Sequence, residues 1–396
     1  MHEAMIVFGN NKNICDKITK RIFKSGAVVV FKLATSTCSV AEMQEISESV
    51  MGKKLVLVFR NNELKNITEA FHSLGVNNIY ICPWDTHYSD EKPLTDLIIP
   101  IDNSKPRLDY LEIEISNICN LNCKGCSEFS NLICEENQVD YNSFRNDLEK
   151  LNDFFWGIGK IRLLGGEPLT NKDYLSFVKT ARESYPDCDL RLVTNGLLIP
   201  AINKADLAEI KRNNCTFDIS NYPPTRKIIK SIKNLLGQSG VSYNIGMPVK
   251  YFFKLFLPEP LESPDESYIN CLFTHCHSLG GGYLSACSHQ FWVHRLNTAF
   301  DLHYPIDEKI DIYNTPLSGW EINEIFNNPL DFCRYCPKGM VPYKWKHRSN
   351  CDAEANDWII KNTYINRKVI PVIQRTAIKF AKQLRLINQQ PKGNRK

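Results

Sequence analysis

The amino-acid sequence predicts an α/β protein that contains two units of parallel sheet. Between residues 107 and 255, short apolar runs at 111–116, 161–165 and 189–196 alternate with stretches of helical periodicity. Residues 1–100 repeat this alternation on a smaller scale. Strands that alternate with helices form βαβ units, which assemble into parallel sheets with ligands at the carboxyl ends of the strands. We therefore expect polar residues that follow these strands to form the functional site.

Residues 1–100 are predicted to form a small Rossmann-like domain with the order β-α-β-α-β-α-β, including a helix at 11–24. Its strands correspond to the runs AMIVFGN, AVVVFKLA, KLVLVFR and NNIYICPW. A dinucleotide site would require G-x-G-x-x-G after the first strand, whereas Gly9 is followed by NNKNI. Recognition of a carrier or substrate, or a docking role, is therefore more consistent with this domain than nucleotide binding. Residues 83–106 are predicted to be a linker.

Three cysteines, Cys119, Cys123 and Cys126, lie in the run CNLNCKGC just after the predicted strand 111–116. Three thiolates on one loop can bind three irons of a [4Fe–4S] cubane and leave the fourth iron open to another ligand. A structural zinc site has four protein ligands, so this loop would supply only part of one. Part of a zinc site and three unligated thiols remain as alternatives.

A second motif, Gly165-Gly166-Glu167-Pro168, follows about 40 residues later at the end of an apolar run. Glycines allow the backbone to approach a ligand more closely than a side chain would permit. The carboxylate of Glu167 is suited to bind an ammonium group. An ordinary tight turn is the alternative interpretation of this motif.

Together, the cysteine triplet and the GGEP motif resemble the radical S-adenosylmethionine (SAM) enzymes over roughly residues 107–350. The resemblance implies a partial (β/α)6 barrel at residues 107–255. It also implies that Cys119, Cys123 and Cys126 bind a [4Fe–4S] cluster whose open iron binds the amino and carboxyl groups of SAM.

In the same family the GGEP motif holds the methionine end of SAM, a role that would fall to Gly165, Gly166 and Glu167. Asn195 and Ser220 follow the next two predicted strands. They are candidates for contacts with the ribose or the methionine carboxylate, and the alternative is that they are turn residues. One departure from the family is Gly125, because the residue before the third cysteine is often aromatic.

A second set of cysteines lies in the C-terminal third of the chain, at Cys271, Cys276, Cys287, Cys333 and Cys336. A C-x-x-C pair with two upstream thiols suffices for a closed zinc or iron–sulfur site. The run from the first of these cysteines to the third resembles the start of the SPASM auxiliary-cluster domain of radical SAM enzymes. Only Cys351 follows the C-x-x-C pair, so the shortened twitch form with one [4Fe–4S] cluster, at residues 265–350, is the better match.

Five thiols compete for the four positions of this auxiliary cluster. Cys287, Cys333 and Cys336 are expected ligands in either case. The fourth is Cys271, which matches the family spacing, or Cys276, which is nearer to the YLSAC hairpin and is narrowly favoured. The remaining thiol is a candidate hydrogen-atom donor.

The chain has 15 cysteines among 396 residues. Disulfide scaffolds of comparable density are short and secreted, whereas a chain of this length can bury a core without cross-links. The opening MHEAMIVFGN is unlike a signal peptide, so we expect metal ligation in a reducing cytoplasm. The sequence has no run of 18 apolar residues, so it predicts no membrane-spanning helix. The other thiols are expected to be packed as small hydrophobic residues: Cys15, Cys38, Cys82, Cys134, Cys188 and Cys215.

Residues 351–396 are predicted to be a helical basic tail. Residues 366–396 contain nine Lys or Arg and no acidic residue. Such an amphipathic helix can contact an anionic membrane surface, or it can cover the core of the protein itself. Nucleic-acid binding is not expected, because no recognised module accompanies the basic residues.

The resemblance implies that the protein generates a 5′-deoxyadenosyl radical that abstracts hydrogen from a substrate carbon, with a flavodoxin or ferredoxin as electron donor. The shortened auxiliary domain resembles that of dehydrogenases acting on sugar-like alcohols. We therefore expect oxidation of a small or carrier-linked sugar, or of a nucleotide sugar, with electron transfer to the auxiliary cluster. Peptide maturation and a non-catalytic iron–sulfur or zinc assembly role are the alternatives. No catalytic residue is assigned, although histidines are candidate bases: His275, His277, His289, His294 and His303.

Overall fold

A computed structural model of the chain shows two sheets and a smaller strand pair. It describes residues 4–9, 15–16, 18–20, 28–33, 39–50, 53–59, 61–82, 99–100, 105–133, 139–339, 341–347 and 353–360. In this part of the chain, no helix has the length and apolar character needed to cross a bilayer.

The N-terminal sheet has the strand order β2-β1-β3-β4-β5. Its elements are β1 (Ala4–Gly9), β2 (Val28–Leu33), α1 (Val40–Val50), β3 (Lys54–Val58), α2 (Asn61–Ser73), β4 (Ile79–Ile81) and β5 (Ile99–Pro100). The first four strands are parallel, as predicted. β1 is apolar throughout because both faces are covered: Ile6 and Phe8 face one buried cluster, and Met5 and Val7 face another.

One part of this sheet was not expected. β5 pairs antiparallel with β4, although it comes from the stretch that was predicted to be a linker. The linker prediction is therefore wrong at residues 99–100, where part of the short apolar run LIIPI (97–101) forms a two-residue edge strand. Of the predicted helix at 11–24, residues 15–16 and 18–20 are described and helical, and the rest lies outside the described residues.

The large sheet contains a parallel run of five strands in chain order. These strands are β6 (Arg107–Ser116), β7 (Gly157–Gly165), β8 (Asp189–Thr194), β9 (Thr216–Ile219) and β10 (Tyr243–Ile245). The helices after β6, β7, β8 and β9 are α3 (Tyr141–Leu151), α4 (Tyr174–Ser184), α5 (Lys204–Arg212) and α6 (Pro223–Ser239). Local signals set their ends: Asp140 and Asn203 cap α3 and α5, and Gly240 ends α6 at a φ of 65°.

The strands beyond β10 do not continue this run. β11 (Tyr251–Lys254) pairs antiparallel with β15 (Val341–Lys344) in a separate two-stranded sheet. At the opposite edge, β12 (Ser278–Gly280) lies parallel to β6, followed by β13 (Tyr283–Ser285) and β14 (Ile310–Asp311). A mixed α/β architecture with a parallel sheet is therefore confirmed. The predicted count of six βα units is not, since the parallel run in chain order ends at β10 within the described residues.

The C-terminal region shares one hydrophobic core with the parallel strands. Its helices are α7 (Asp265–Tyr268), α8 (Ser288–Phe300) and α9 (Gly319–Phe326). Buried residues from Leu108 to Ile359 form one continuous cluster, so the predicted domains 107–255 and 265–350 do not have separate cores.

Two sequence predictions about the remaining segments can be compared with this core. Trp358 is fully buried in it, so residues 353–360 belong to the core and not to the tail that was predicted from 351 onward. The rest of that tail, 361–396, lies outside the described residues. Four of the six thiols expected to be packed are indeed buried: Cys15, Cys82, Cys188 and Cys215. Cys38 and Cys134 are outside the described residues.

A buried ion pair connects α8 to β6. Arg295 donates from Nη1 to Glu114 Oε1 over 3.0 Å, and the side chains are only 9% and 2% exposed. The same nitrogen donates to the carbonyl oxygen of Glu128, 2.8 Å away, and Trp292 packs against the guanidinium. This one side chain therefore holds a helix, a central strand and the cysteine loop together.

Replacement of Arg295 by Met should lower the free energy of unfolding by about 3–5 kcal/mol, because it leaves the Glu114 carboxylate buried without its partner. Urea denaturation followed by circular dichroism measures this loss. The control is Arg145→Met, which removes an exposed pair with Glu149 (3.9 Å) and should change stability by less than about 1 kcal/mol. Equal losses in the two variants would contradict the assigned role of Arg295.

Candidate active site

A cavity of about 250 Å³ lies at the carboxyl ends of β6 to β9. Its lining unites residues from both predicted motifs and from the turns after β8 and β9: Cys119, Cys123, Cys126, Gly165, Gly166, Asn195 and Ser220. These side chains are far apart in the sequence, and the parallel sheet brings them to one edge. The expected clustering of polar residues at strand ends is therefore observed.

The C-terminal strand holds the cysteine loop from outside. Lys124 donates its backbone N–H to the carbonyl oxygen of Lys346 (2.9 Å), and Tyr343 Oη donates to the carbonyl oxygen of Lys124 (2.9 Å). Gly125 has a φ of 63°, and a Cβ there would lie 2.0 Å from Tyr343 Oη. The departure from an aromatic residue at position 125 thus has a local cause, since Tyr343 occupies the space.

The three loop thiols are poorly hydrated. Burial is the main cause that raises the pKa of Cys119 to about 12, with smaller contributions from neighbouring Cys126 and Glu167 and against the hydrogen bond from Leu121. Burial also raises the pKa values of Cys123 and Cys126. Thiolates in such a place require a cation that replaces their protons, and this requirement fits a metal cluster.

The two glycines of the GGEP motif allow the end of β7 to pack against the cysteine loop. A Cβ on Gly165, whose φ is 134°, would lie 2.2 Å from the carbonyl oxygen of Ser116. A Cβ on Gly166 would lie 2.4 Å from the carbonyl oxygen of Ile118. The sequence suggested close approach to a ligand, and the structure shows that close approach to the chain's own backbone also requires glycine here.

Glu167 lies beneath the cavity and is completely buried. Its Oε1 accepts hydrogen bonds from Thr194 Oγ1 (2.6 Å) and Leu169 N (3.2 Å), and its Oε2 accepts one from Asn195 N (2.7 Å). Burial raises the pKa of this carboxyl group to about 7, against the lowering effect of these donors. The carboxylate thus fixes the end of β8, and its contact with an ammonium group stays a prediction.

Asn195 links the end of β8 to the cysteine loop. Its Nδ2 donates to Asn120 Oδ1 over 2.7 Å, and its Oδ1 accepts from Leu197 N over 3.0 Å. Ser220 is fixed by its backbone, which donates to the carbonyl oxygen of Thr194 over 2.9 Å. Both residues line the cavity, so they lie where a ligand contact is possible, and their assigned roles remain predictions.

Sequence reasoning missed the charged wall of the cavity, formed by Glu112 on β6 and Arg162 on β7. Arg162 Nη1 donates to Tyr110 Oη (2.7 Å) and to Glu112 Oε1 (3.0 Å), and Nη2 donates to Asp218 Oδ2 (3.3 Å). Its Nε is buried and has no hydrogen-bond partner within the described residues. The available signal was a charged residue at an inner position of three predicted strands: Glu112, Arg162 and Asp218.

Cys276 and His289 also face this cavity. All five histidines in residues 275–303 are described, and among them His289 is the one in the lining. It is 6% exposed, and burial lowers its pKa to about 4. His277 and His294 instead lie within hydrogen-bonding distance of backbone carbonyl oxygens. Of the five candidate bases, His289 is therefore the one placed to contact a molecule in the cavity.

The other four C-terminal thiols are neighbours of one another. Burial raises the pKa of Cys336, and the nearby thiols Cys287, Cys333 and Cys271 raise it further. The pKa of Cys276 is raised by burial and then by Glu112, ahead of Cys287. Cys276 lines the cavity of the loop thiols, whereas Cys271 is not among the described lining residues, so which of the two is the fourth auxiliary ligand remains a prediction.

Within the described residues, no three His, Cys, Asp or Glu side chains are placed to share a single metal ion. A [4Fe–4S] cubane does not require this, because its thiolates bind different irons. The loop thiols and their cavity fit such a cluster, as do the four C-terminal thiols.

Replacement of Gly166 by Ala should lower the iron bound after anaerobic reconstitution by about four atoms per chain, the content of one cubane. The added methyl group would collide with the carbonyl oxygen of Ile118 and displace the cysteine loop. The control is Gly157→Ala at the start of β7, where a Cβ meets no atom within 4 Å. Wild-type iron content in Gly166→Ala, with the fold intact by circular dichroism, would contradict this account.

Comparison with known proteins places part of this site in a family. Residues 113–232 match the family model of the Radical SAM superfamily. The chain is 26% identical over 266 residues to a GTP 3′,8-cyclase of Sulfurovum sp. (strain NBC37-1), covering 60% of this chain and 77% of the relative. It is 34% identical over 155 residues to a GTP 3′,8-cyclase of Nautilia profundicola, covering 38% of this chain and 48% of the relative. The match thus spans about half of the Nautilia enzyme.

Solved structures with similar parts include BtrN in complex with AdoMet and 2-DOIA, at 17% identity and a TM-score of 0.37, covering 58% of this chain and 92% of that one. Another is anSMEcpe with bound AdoMet, at 19% identity and a TM-score of 0.30, covering 35% and 43%. Residues 113–232 thus resemble a radical SAM domain, and that family uses a [4Fe–4S] cluster and SAM as cofactors.

Proposed function

We propose that this protein is a radical SAM oxidoreductase that abstracts hydrogen from a carbon of a sugar or nucleotide-sugar alcohol. The observation that carries the proposal is the single cavity shared by the three loop thiols, the GGEP backbone and a wall of polar side chains. When bound, the loop cluster and SAM supply a 5′-deoxyadenosyl radical, and an auxiliary [4Fe–4S] cluster supplies an acceptor for the remaining electron.

Two sets of residues would hold these groups. Cys119, Cys123 and Cys126 would bind the first cluster, and the backbone of Gly165 and Gly166 would face the methionine end of SAM. The auxiliary set is a twitch-type site whose members are close neighbours: Cys271, Cys287, Cys333 and Cys336. Cys276 is left outside this set, on the cavity wall beside Glu112.

The polar wall is suited to a substrate with hydroxyl groups. Arg162 and Glu112 form a hydrogen-bonded, partly buried pair, whose fixed orientation allows a substrate hydroxyl group to act as donor or acceptor. Ser288 and His289 add further polar groups on the opposite element, α8. Phe252 and Phe273 complete the lining with apolar surface, which excludes water from the reacting atoms.

A second candidate is a nucleotide substrate, because the curated relatives described above are named GTP 3′,8-cyclase. The charges that line the cavity favour the sugar alcohol over the nucleotide as substrate. The described side chains that line the cavity include two carboxyl groups, Glu112 and Glu128, and one guanidinium group, Arg162. A triphosphate is recognised by several cations or bidentate arginines, so this lining is better suited to a substrate without exposed phosphates at its reacting end.

The proposal also includes an electron donor, a cellular compartment and a possible carrier for the substrate. A flavodoxin or ferredoxin would provide electrons, the protein would act in a reducing cytoplasm, and the sugar could be attached to a carrier. Peptide maturation is the competing reaction within the superfamily. Membrane contact through the basic tail concerns residues outside the described part of the chain.

Incubation of the reconstituted protein with SAM and dithionite should release 5′-deoxyadenosine, and this release should stop when the three loop cysteines are changed to Ala. Liquid chromatography with mass spectrometry measures the product. Nucleotide sugars, GTP and short peptides are then added one at a time. Only the nucleotide sugars should increase the release of 5′-deoxyadenosine. Stimulation by GTP alone would favour the cyclase reaction, and zinc in place of iron would contradict both enzymatic proposals.

The auxiliary ligand set can be tested by two substitutions. Cys271→Ser should lower the iron content by about four atoms per chain, because it removes a cubane ligand. Cys276→Ser is the matched control and should retain the wild-type iron content. The reverse result would show that Cys276 is the ligand.

A further inference from the structure

Each of the three loop sulfurs has a hydrogen-bond donor beside it. Leu121 donates its backbone N–H to Cys119 Sγ over 3.4 Å, and the Ser130 hydroxyl lies 3.5 Å from Cys126 Sγ. Both donors belong to the loop itself. The donor to Cys123 comes from much further along the chain: Trp345 Nε1 donates to its Sγ over 3.3 Å.

The position of Trp345 is fixed on several sides. It follows β15, and its backbone N–H donates to the carbonyl oxygen of Lys250 over 3.0 Å. Its ring stacks on Tyr222 with the centroids 5.8 Å apart and the planes inclined by 30°. The next two residues pair with the cysteine loop, through Lys346 and through a bridge from His347 to Cys123. The indole is therefore held with its only polar atom against a cluster sulfur.

An indole N–H donates and cannot accept, so its effect on a sulfur has one sign. Reduction of an iron–sulfur cluster adds negative charge that is shared by the ligand sulfurs. A donor to one of these sulfurs stabilises the reduced state, and hydrogen bonds to sulfur are among the factors that set cluster potentials. The effect is strengthened by the poor hydration of Cys123, whose side chain is buried.

We propose that Trp345 raises the reduction potential of the cluster held by Cys119, Cys123 and Cys126 through its hydrogen bond to Cys123. This inference rests on the proposed function, since it requires a cluster at the loop. Trp345 is then a positioning residue that acts through Cys123. It is not among the described residues that line the cavity. The strand that carries it thereby connects the C-terminal region to the redox properties of the loop.

The test is a potentiometric titration of the reconstituted full chain, followed by electron paramagnetic resonance. The loop cluster is identified as the signal that changes when SAM is added. Trp345→Phe keeps a ring against Tyr222 and removes the N–H. Its loop cluster should have a more negative midpoint potential than that of the wild type, with unchanged iron content and an unchanged potential of the auxiliary cluster.

Two further variants keep the test decisive. Site-specific replacement of Trp345 by benzothienylalanine preserves the two-ring shape and removes only the N–H, so it should reproduce the shift even if the smaller Phe disturbs packing. Tyr313→Phe is the control: it removes an aromatic O–H donor that instead binds Asp147 on α3, over 2.9 Å. Its potential should equal that of the wild type.

An unchanged potential in the benzothienylalanine variant would overturn the inference, as would an equal shift in Tyr313→Phe. These outcomes differ from failure of the proposed function. If the wild type shows no [4Fe–4S] signal that responds to SAM, the function itself is wrong. If that signal is present and the Trp345 variants match the wild type in potential, only the role of Trp345 is wrong.

Discussion

The site depends on one close backbone contact, between the end of β7 and the start of the cysteine loop. Gly166 donates its N–H to the carbonyl oxygen of Ser116, and Glu167 donates its N–H to that of Ile118, both over 2.8 Å. No side chain fits between these segments, which is why two glycines stand there. The contact places the glycine backbone beside Cys119, and the buried Glu167 carboxylate carries the constraint on to the end of β8. One local packing requirement thus aligns three strand ends around the cavity.

The loop is held equally firmly from the opposite side, by segments more than 200 residues later in the chain. Tyr343 and Trp345 contact it beside β15, and Trp358 donates its indole N–H to the carbonyl oxygen of Cys126 over 2.7 Å. Arg295 reaches the carbonyl oxygen of Glu128 from α8. The C-terminal region is therefore a structural part of the loop site. The hydrophobic core that it shares with the parallel strands supports the same conclusion. A change in one region is expected to be felt in the other, because packed elements transmit displacements.

The limits of the sequence predictions follow from the range of the interactions involved. The parallel strands, the cysteine loop and the GGEP turn were predictable because each is coded by neighbouring residues. The pairing of β11 with β15 and the contact of Trp345 with Cys123 join residues that are remote in the chain, and no local pattern marks them. The edge strand β5 lies in a short apolar run, but its pairing with β4 is not readable from that run. The choice between Cys271 and Cys276 was likewise not predictable, because the sequence does not show which of these two nearby thiols faces the cavity. In the structure, Cys276 lines it. The charges of Glu112 and Arg162 were visible, but their meeting on one wall required the register of β6 and β7.

The charge balance around the cavity suggests why a cationic ligand suits this site. Burial raises the pKa values of Glu114, Glu128 and Glu167, those of the last two to about 8 and about 7. Burial therefore disfavours the ionised form of these three carboxyl groups. Arg295 is the compensating positive charge beside Glu114 and Glu128. SAM carries a sulfonium and an ammonium group, and its approach would favour the ionised forms of these acids. A polyanionic ligand would act in the opposite direction, and this is the physical basis of the proposed preference for substrates without phosphate groups close to the reacting carbon.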